Sequence, residues 1–116
     1  MSVPGEDLDV EPEQVARWLT EGAGLQVIDV REGYEREAGH VAGSRHIELS
    51  ALSAQAGTVD QARPVVFYCR VGGRSTMAAQ AFRASGYDAY SMRGGLLQWV
   101  AEQHPLAPEG GFVADH

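Results

Sequence analysis

The sequence predicts an α/β domain: a mostly parallel β-sheet with helices on both faces. Three observations carry this. Short apolar runs alternate along the chain with segments of helical periodicity. The strand-to-helix connections are short. The strand runs are apolar almost throughout, as strands covered on both faces are. The length, 116 residues, suits one compact domain.

The first expected helix runs from Pro12 to Thr20. Proline suits a first helical turn, and Val15, Trp18 and Leu19 make one apolar stripe. Gly22-Ala23-Gly24 ends it. The run from Leu25 to Val30 is rich in β-branched residues and reads as a buried strand ending at Asp29. A polar stretch, Arg31 to Gly39, holds a short helix around Tyr34 to Ala38. Val41 to Ser44 is a turn, Arg45-His46-Ile47 a short strand, Leu49 to Gln55 a helix, and Gly57 to Arg63 a loop.

Val65-Val66-Phe67-Tyr68 is the strongest strand in the chain. Ser75 to Ser85 reads as a helix with Met77, Ala78, Ala81 and Phe82 facing inward, stopped by Gly86. Asp88 to Met92 is a further strand. Leu96 to Gln103 is the last helix, with Leu96, Trp99 and Val100 inward. The domain is expected over residues 9–103, between an N-terminal tail (1–8) and a C-terminal tail (104–116).

Ligands of parallel α/β sheets bind beyond the C-terminal strand ends. Asp29-Val30-Arg31, Cys69 and Arg93-Gly94-Gly95 all fall just past such ends, so they are expected to share one rim. Cys69 is the single cysteine. It opens the heptad Cys69-Arg70-Val71-Gly72-Gly73-Arg74-Ser75, which leads into a helix. Backbone N–H groups at a helix start and nearby guanidinium groups favour thiolate over thiol. The same groups hold an anion against the sulfur.

Composition narrows the partners. A net charge of -7 argues against a nucleic-acid surface. All nine basic residues are arginine, and Arg31, Arg70, Arg74 and Arg93 cluster at strand ends, where a positive pocket would concentrate a small anion. No apolar run reaches membrane-spanning length. No secretory signal is visible and one cysteine makes no internal disulfide, so a cytoplasmic location is expected. His40, His46, His104 and His116 are dispersed, so neither metal nor other cofactor is expected.

Four residues separate Cys69 from Arg74. Cysteine phosphatases use a loop one residue longer, and a shorter loop suits one added sulfur atom better than a phosphoryl group. The landmarks also come in a recognisable order. Val27-Ile28-Asp29-Val30-Arg31 is followed by Glu35 and Gly39-His40-Val41-Ala42-Gly43-Ser44. Then come Tyr68 to Ser75, and Arg93-Gly94-Gly95 with Trp99 four residues on. In these motifs the chain resembles the rhodanese (thiosulfate sulfurtransferase) superfamily, single-domain type, over roughly Asp9 to Gln103. It departs in having Ser44 for the usual alanine, and Arg45-His46 where asparagine is usual.

The resemblance implies a three-layer α/β/α domain around a five-stranded, mostly parallel sheet. It implies transfer of sulfane sulfur from a small anionic donor such as thiosulfate, through a Cys69 persulfide, to cyanide, a thiol or a protein acceptor. Cys69 is then the nucleophile, and Arg70, Val71, Gly72, Gly73, Arg74 and Ser75 form the loop that holds the terminal sulfur. Arg74 orients the loop through Asp29 or Glu35, and Arg70 points outward to the donor's oxyanion end. Asp29, Arg31, Glu35 and Arg93 support the site, Asp29 as either a structural or a contacting carboxylate. His40 is read as a scaffold residue. A persulfide carrier with little free turnover, a regulatory module, and a phosphatase or arsenate reductase are the rival readings.

Overall fold

A computed structural model describes residues 8–22 and 24–115. The tail expected over residues 1–8 lies outside them except for Leu8, as does Ala23 of the first helix stop. Among these residues, five strands alternate with five helices. In order they are β1 (Asp9–Val10), α1 (Pro12–Glu21), β2 (Gln26–Asp29), α2 (Gly33–Ala38) and β3 (Arg45–His46). Then follow α3 (Leu49–Gln55), a 3₁₀ turn (Ala56–Thr58), β4 (Val65–Tyr68), α4 (Gly73–Ala84), β5 (Ala89–Met92) and α5 (Gly95–Ala101). The sheet is parallel throughout, in the order β1-β5-β4-β2-β3.

Alternation along the central strand divides the core. Val65, Phe67 and Cys69 face one side with Ile28, Val30, Ala78 and Phe82. Val66 and Tyr68 face the other with Val15, Trp18, Leu96 and Trp99. Successive side chains of a strand point to opposite faces, so β4 delivers Cys69 to the α4 side. Fully burying each large apolar side chain contributes roughly 1.5–3 kcal/mol.

Three expectations change. Strand β1 carries no apolar run of its own. It forms because Leu8 and Val10 carbonyls accept from Ser91 and Arg93 N–H groups. The inward face of α4 is Ser75, Ala78, Ala79 and Phe82, whereas Met77 is 61% exposed and Ala81 is also outside. The helix begins at Gly73 and Ser75 is fixed inward, which turns Met77 roughly 200° away. Val100 is 41% exposed, because Gly95, Leu96 and Trp99 set the inward phase of α5.

The segment after α5 holds no further named element, yet it is docked on the body. Ala107 and His40 exchange both backbone hydrogen bonds, at 2.8 and 2.7 Å. Phe112 N–H donates to the Ala38 carbonyl, Trp99 Nε1 donates to the Pro105 carbonyl, and Leu106 and Val113 pack on the core.

Candidate functional site

Cys69 follows β4 directly and is 1% exposed. Three residues later Gly72 takes φ +119, a conformation open to glycine at no steric cost. That curl returns the chain over the sulfur, and Gly72 N–H donates to Cys69 Sγ at 3.0 Å. Ser75 Oγ stands 3.5 Å from the sulfur and 3.1 Å from the Gly72 carbonyl oxygen, with one proton to give to either. Arg74 and Ser75 therefore lie in the first turn of α4 rather than in a loop ahead of it.

The loop is clamped from behind by α5. Leu96 N–H donates to the Cys69 carbonyl at 2.8 Å, and Leu97 N–H to the Arg70 carbonyl at 3.1 Å. These bonds hold both carbonyls away from the sulfur. Among the described residues, the N–H groups of Arg70, Val71, Gly73, Arg74 and Ser75 have no acceptor. Unsatisfied N–H groups at a helix start form a ready anion cradle. Clefts open on either side: one of about 340 Å³ between Glu32, Glu48, Leu49 and Arg74, another of about 330 Å³ between Val71, Gly73, Ser91 and Arg93.

The supporting residues separate into pairs. Arg74 reaches Glu35 with two hydrogen bonds, at 2.8 and 3.0 Å, one of the two carboxylates expected for it. Glu35 also accepts from Glu32 N–H. Burial acts to raise the Glu35 pKa, but the Arg74 and Glu32 hydrogen bonds and the guanidinium charges outweigh it and hold the pKa below the ordinary 4.5. Asp29 instead binds Arg31, through Nε at 2.9 Å and Nη2 at 2.8 Å, and both are fully buried. Arg31 Nη2 also donates to the Gly39 carbonyl at 2.7 Å. Burial works against the Arg31 charge, yet the Asp29 hydrogen bond and charge raise its pKa above the ordinary guanidinium value. Asp29 and Arg31 tie β2 to the turn after α2, and among the described residues neither hydrogen-bonds Cys69.

The arginines do not leave a free positive pocket. Arg70 Nε donates to the Ala114 carbonyl at 3.3 Å and Nη2 lies 3.7 Å from Asp115. Arg93 pairs with Glu11 at 2.7 Å and faces Asp9 at 3.6 Å. In so acidic a chain every one of these guanidinium groups finds a carboxylate. His40 holds a turn, its Nδ1 3.1 Å from the Arg36 carbonyl.

Three residues given no site role by the sequence position the site; Tyr68 and Gly95 stand within its motifs and Ser91 in none. Tyr68 OH meets Val41 N–H and Ser44 Oγ, both at 3.0 Å, and Asp29 at 3.2 Å. Burial first, then the Asp29 charge, pushes its pKa up to about 12. Ser91 Oγ lies 2.8 Å from Ser75 Oγ. Gly95 (φ +62) lies so close that a Cβ there would sit 2.5 Å from the Arg70 carbonyl oxygen and 2.6 Å from that of Cys69. For Tyr68 and Ser91 the available signal was a polar group inside an apolar strand, which needs a buried partner; for Gly95 there was none.

This cysteine cradle at the strand-end rim agrees with what the chain is similar to. The family model for the rhodanese-like domain matches residues 11–102. The chain belongs to the rhodanese-like domain family. Thiosulfate sulfurtransferase GlpE of Pseudomonas aeruginosa (strain LESB58) is 38% identical over 91 residues, 78% of this chain and 81% of that one. YqhL of Bacillus subtilis, an uncharacterized protein, is 41% identical over 75 residues, 64% of this chain and 60% of YqhL. The probable adenylyltransferase/sulfurtransferase MoeZ of Mycobacterium tuberculosis is 32% identical over 99 residues, 83% of this chain but 25% of MoeZ. A rhodanese-related protein from Thermoplasma volcanium has the same fold: TM-score 0.80 at 24% identity, covering 87% of this chain and 98% of that one. The three-layer rhodanese fold expected from the motifs is thus present. No helix among the described residues is long and apolar enough to cross a membrane.

Proposed function

We propose that this rhodanese domain is a sulfurtransferase acting through a persulfide on Cys69. The observation that carries it is the loop geometry: one N–H already on Sγ, five more without acceptors, and both flanking carbonyls turned back to α5. The Cys69 thiolate attacks the outer sulfur of thiosulfate. The S–S bond of the donor breaks, and sulfite leaves with the bonding electron pair. The terminal persulfide sulfur, carrying negative charge, is stabilised by the loop N–H groups from Arg70 to Ser75. An acceptor thiolate or cyanide then attacks that sulfur, and the Cys69 thiolate is regenerated. With no second cysteine in the chain, the acceptor is external. The chemistry calls for no cofactor, and the acidic surface and thiol acceptor fit a cytoplasmic protein.

Thiocyanate formation from thiosulfate and cyanide tests this. The wild type turns over and Cys69→Ser is inactive. Equal activity in both, or Cys69-dependent hydrolysis of an aryl phosphate in place of sulfur transfer, overturns it.

One observation favours a second reading, a carrier serving a partner protein. Arg31, Arg70, Arg74 and Arg93 all face carboxylates, which leaves little free charge to collect a small dianion. The carrier gains one sulfur by intact mass after donor treatment, while steady-state thiocyanate formation stays negligible.

A further inference from the structure

Ser75, Ser91 and Thr76 form a chain of hydroxyls behind Cys69. Ser91 lies on β5, outside the cysteine loop, and is 1% exposed. Its Oγ accepts from Thr76 Oγ1 at 3.4 Å and lies 2.8 Å from Ser75 Oγ. Ser75 Oγ in turn lies between the Gly72 carbonyl at 3.1 Å and Cys69 Sγ at 3.5 Å.

A hydroxyl has one proton to donate. With Thr76 donating to Ser91, the Ser91 proton is directed to Ser75 Oγ. Ser75 then has its own proton left for either the Gly72 carbonyl or the sulfur. A thiolate is the stronger acceptor of the two, because hydrogen bonds to an ionised partner are roughly twice as strong. We infer that Ser91 is a positioning residue for the Cys69 nucleophile: by donating to Ser75, it takes itself out as an acceptor of the Ser75 proton and polarises the hydroxyl that faces the anionic sulfur. Ser75 Oγ is then a second donor to the sulfur, beside the Gly72 N–H. This rests on the reading of Cys69 as nucleophile, and on no particular sulfur donor.

Charged groups on the surrounding elements are Arg70 and Arg74 on the loop and α4, Asp29 and Arg31 past β2, Glu35 on α2 and Arg93 past β5. Substituting the hydroxyls leaves all of them in place. The test is the rate of iodoacetamide alkylation of the full chain at neutral pH, for Ser75→Ala, Ser91→Ala and the double variant.

Ser75→Ala removes the hydrogen bond to sulfur and is expected to slow alkylation roughly two- to tenfold, while Ser91→Ala weakens that bond without removing it and slows alkylation by a smaller factor. The double variant reacts no more slowly than Ser75→Ala, because Ser91 acts through Ser75. A wild-type rate in Ser91→Ala overturns the inference, as does multiplication of the two losses in the double variant. A loosened fold would expose the buried thiol and speed alkylation, so a faster Ser91→Ala also overturns it. Alkylation needs no sulfur donor. Absent thiocyanate formation in the wild type would therefore sink the sulfurtransferase reading and leave this result standing.

Discussion

Cys69 illustrates how far a single residue can be understood from its neighbours in sequence. The positive-φ curl at Gly72 was legible, because a glycine pair after a strand-end thiol has few other uses. The clamp behind the loop was not, because it joins residues more than twenty positions apart. Gly95 presses on the backbone of Cys69 and Arg70, and no local pattern announces such an approach. Gly95→Ala tests it. The new methyl meets backbone atoms at 2.5 to 2.6 Å, and the residue also sits at φ +62. Overpacking of this kind costs about 2–3 kcal/mol. Urea unfolding should show that loss, and thiocyanate formation should fall further as Leu96 and Leu97 release the loop carbonyls. A variant as stable and active as the wild type would mean that the contact is slack.

Between elements, the decisive link is the Glu35–Arg74 pair, which joins α2 to the first turn of α4. The sequence offered Arg74 a choice of two carboxylates. It could not decide between them, because Asp29 is claimed by Arg31, two residues along the same strand exit. Glu35→Gln keeps the shape and removes the charge. Glu35 is fully buried and Arg74 partly exposed, so the loss at neutral pH is about 2 kcal/mol, below that of a wholly buried pair. The folded pKa of Glu35 lies below its ordinary 4.5. The stabilisation is therefore present above that ordinary value and is lost as pH falls through the folded value. Denaturant unfolding should show the wild type and Glu35→Gln drawing together below about pH 4. A gap that stays constant down to about pH 3 would show that Glu35 is not held ionised by Arg74. The same element-level view explains the α4 error. Helical periodicity set the spacing of inward residues, but Ser75, fixed by Cys69 and Ser91, set the phase.

At the scale of the whole molecule, the alternation of strands and helices made the layered parallel sheet legible. The two-residue β1 and the docked end were not, since neither has hydrophobic periodicity. Both are held by backbone bonds to distant segments. Gly39 is where the C-terminal segment crosses the body. Its backbone is extended (φ 172), so a side chain there brings no strain of its own. A Cβ at Gly39 would nevertheless lie 2.6 Å from the Phe112 carbonyl oxygen and 2.8 Å from the Phe112 nitrogen. Gly39→Ala should therefore push residues 106–113 outward. The His40–Ala107 bridge and the Phe112 N–H bond to Ala38 would open, and Leu106 and Val113 would leave the core. Three lost hydrogen bonds near 1 kcal/mol each, with partial exposure of two apolar side chains, sum to about 5 kcal/mol. Hydrogen exchange at Ala107 and Phe112 should accelerate well beyond the rest of the sheet, and urea unfolding should shift to lower concentration. Because Arg70 binds the Ala114 carbonyl, the cysteine loop loses an anchor in the same variant. Alkylation of Cys69 should then change as well. Unchanged exchange at both amides would mean that the segment's path over Gly39 carries no stability.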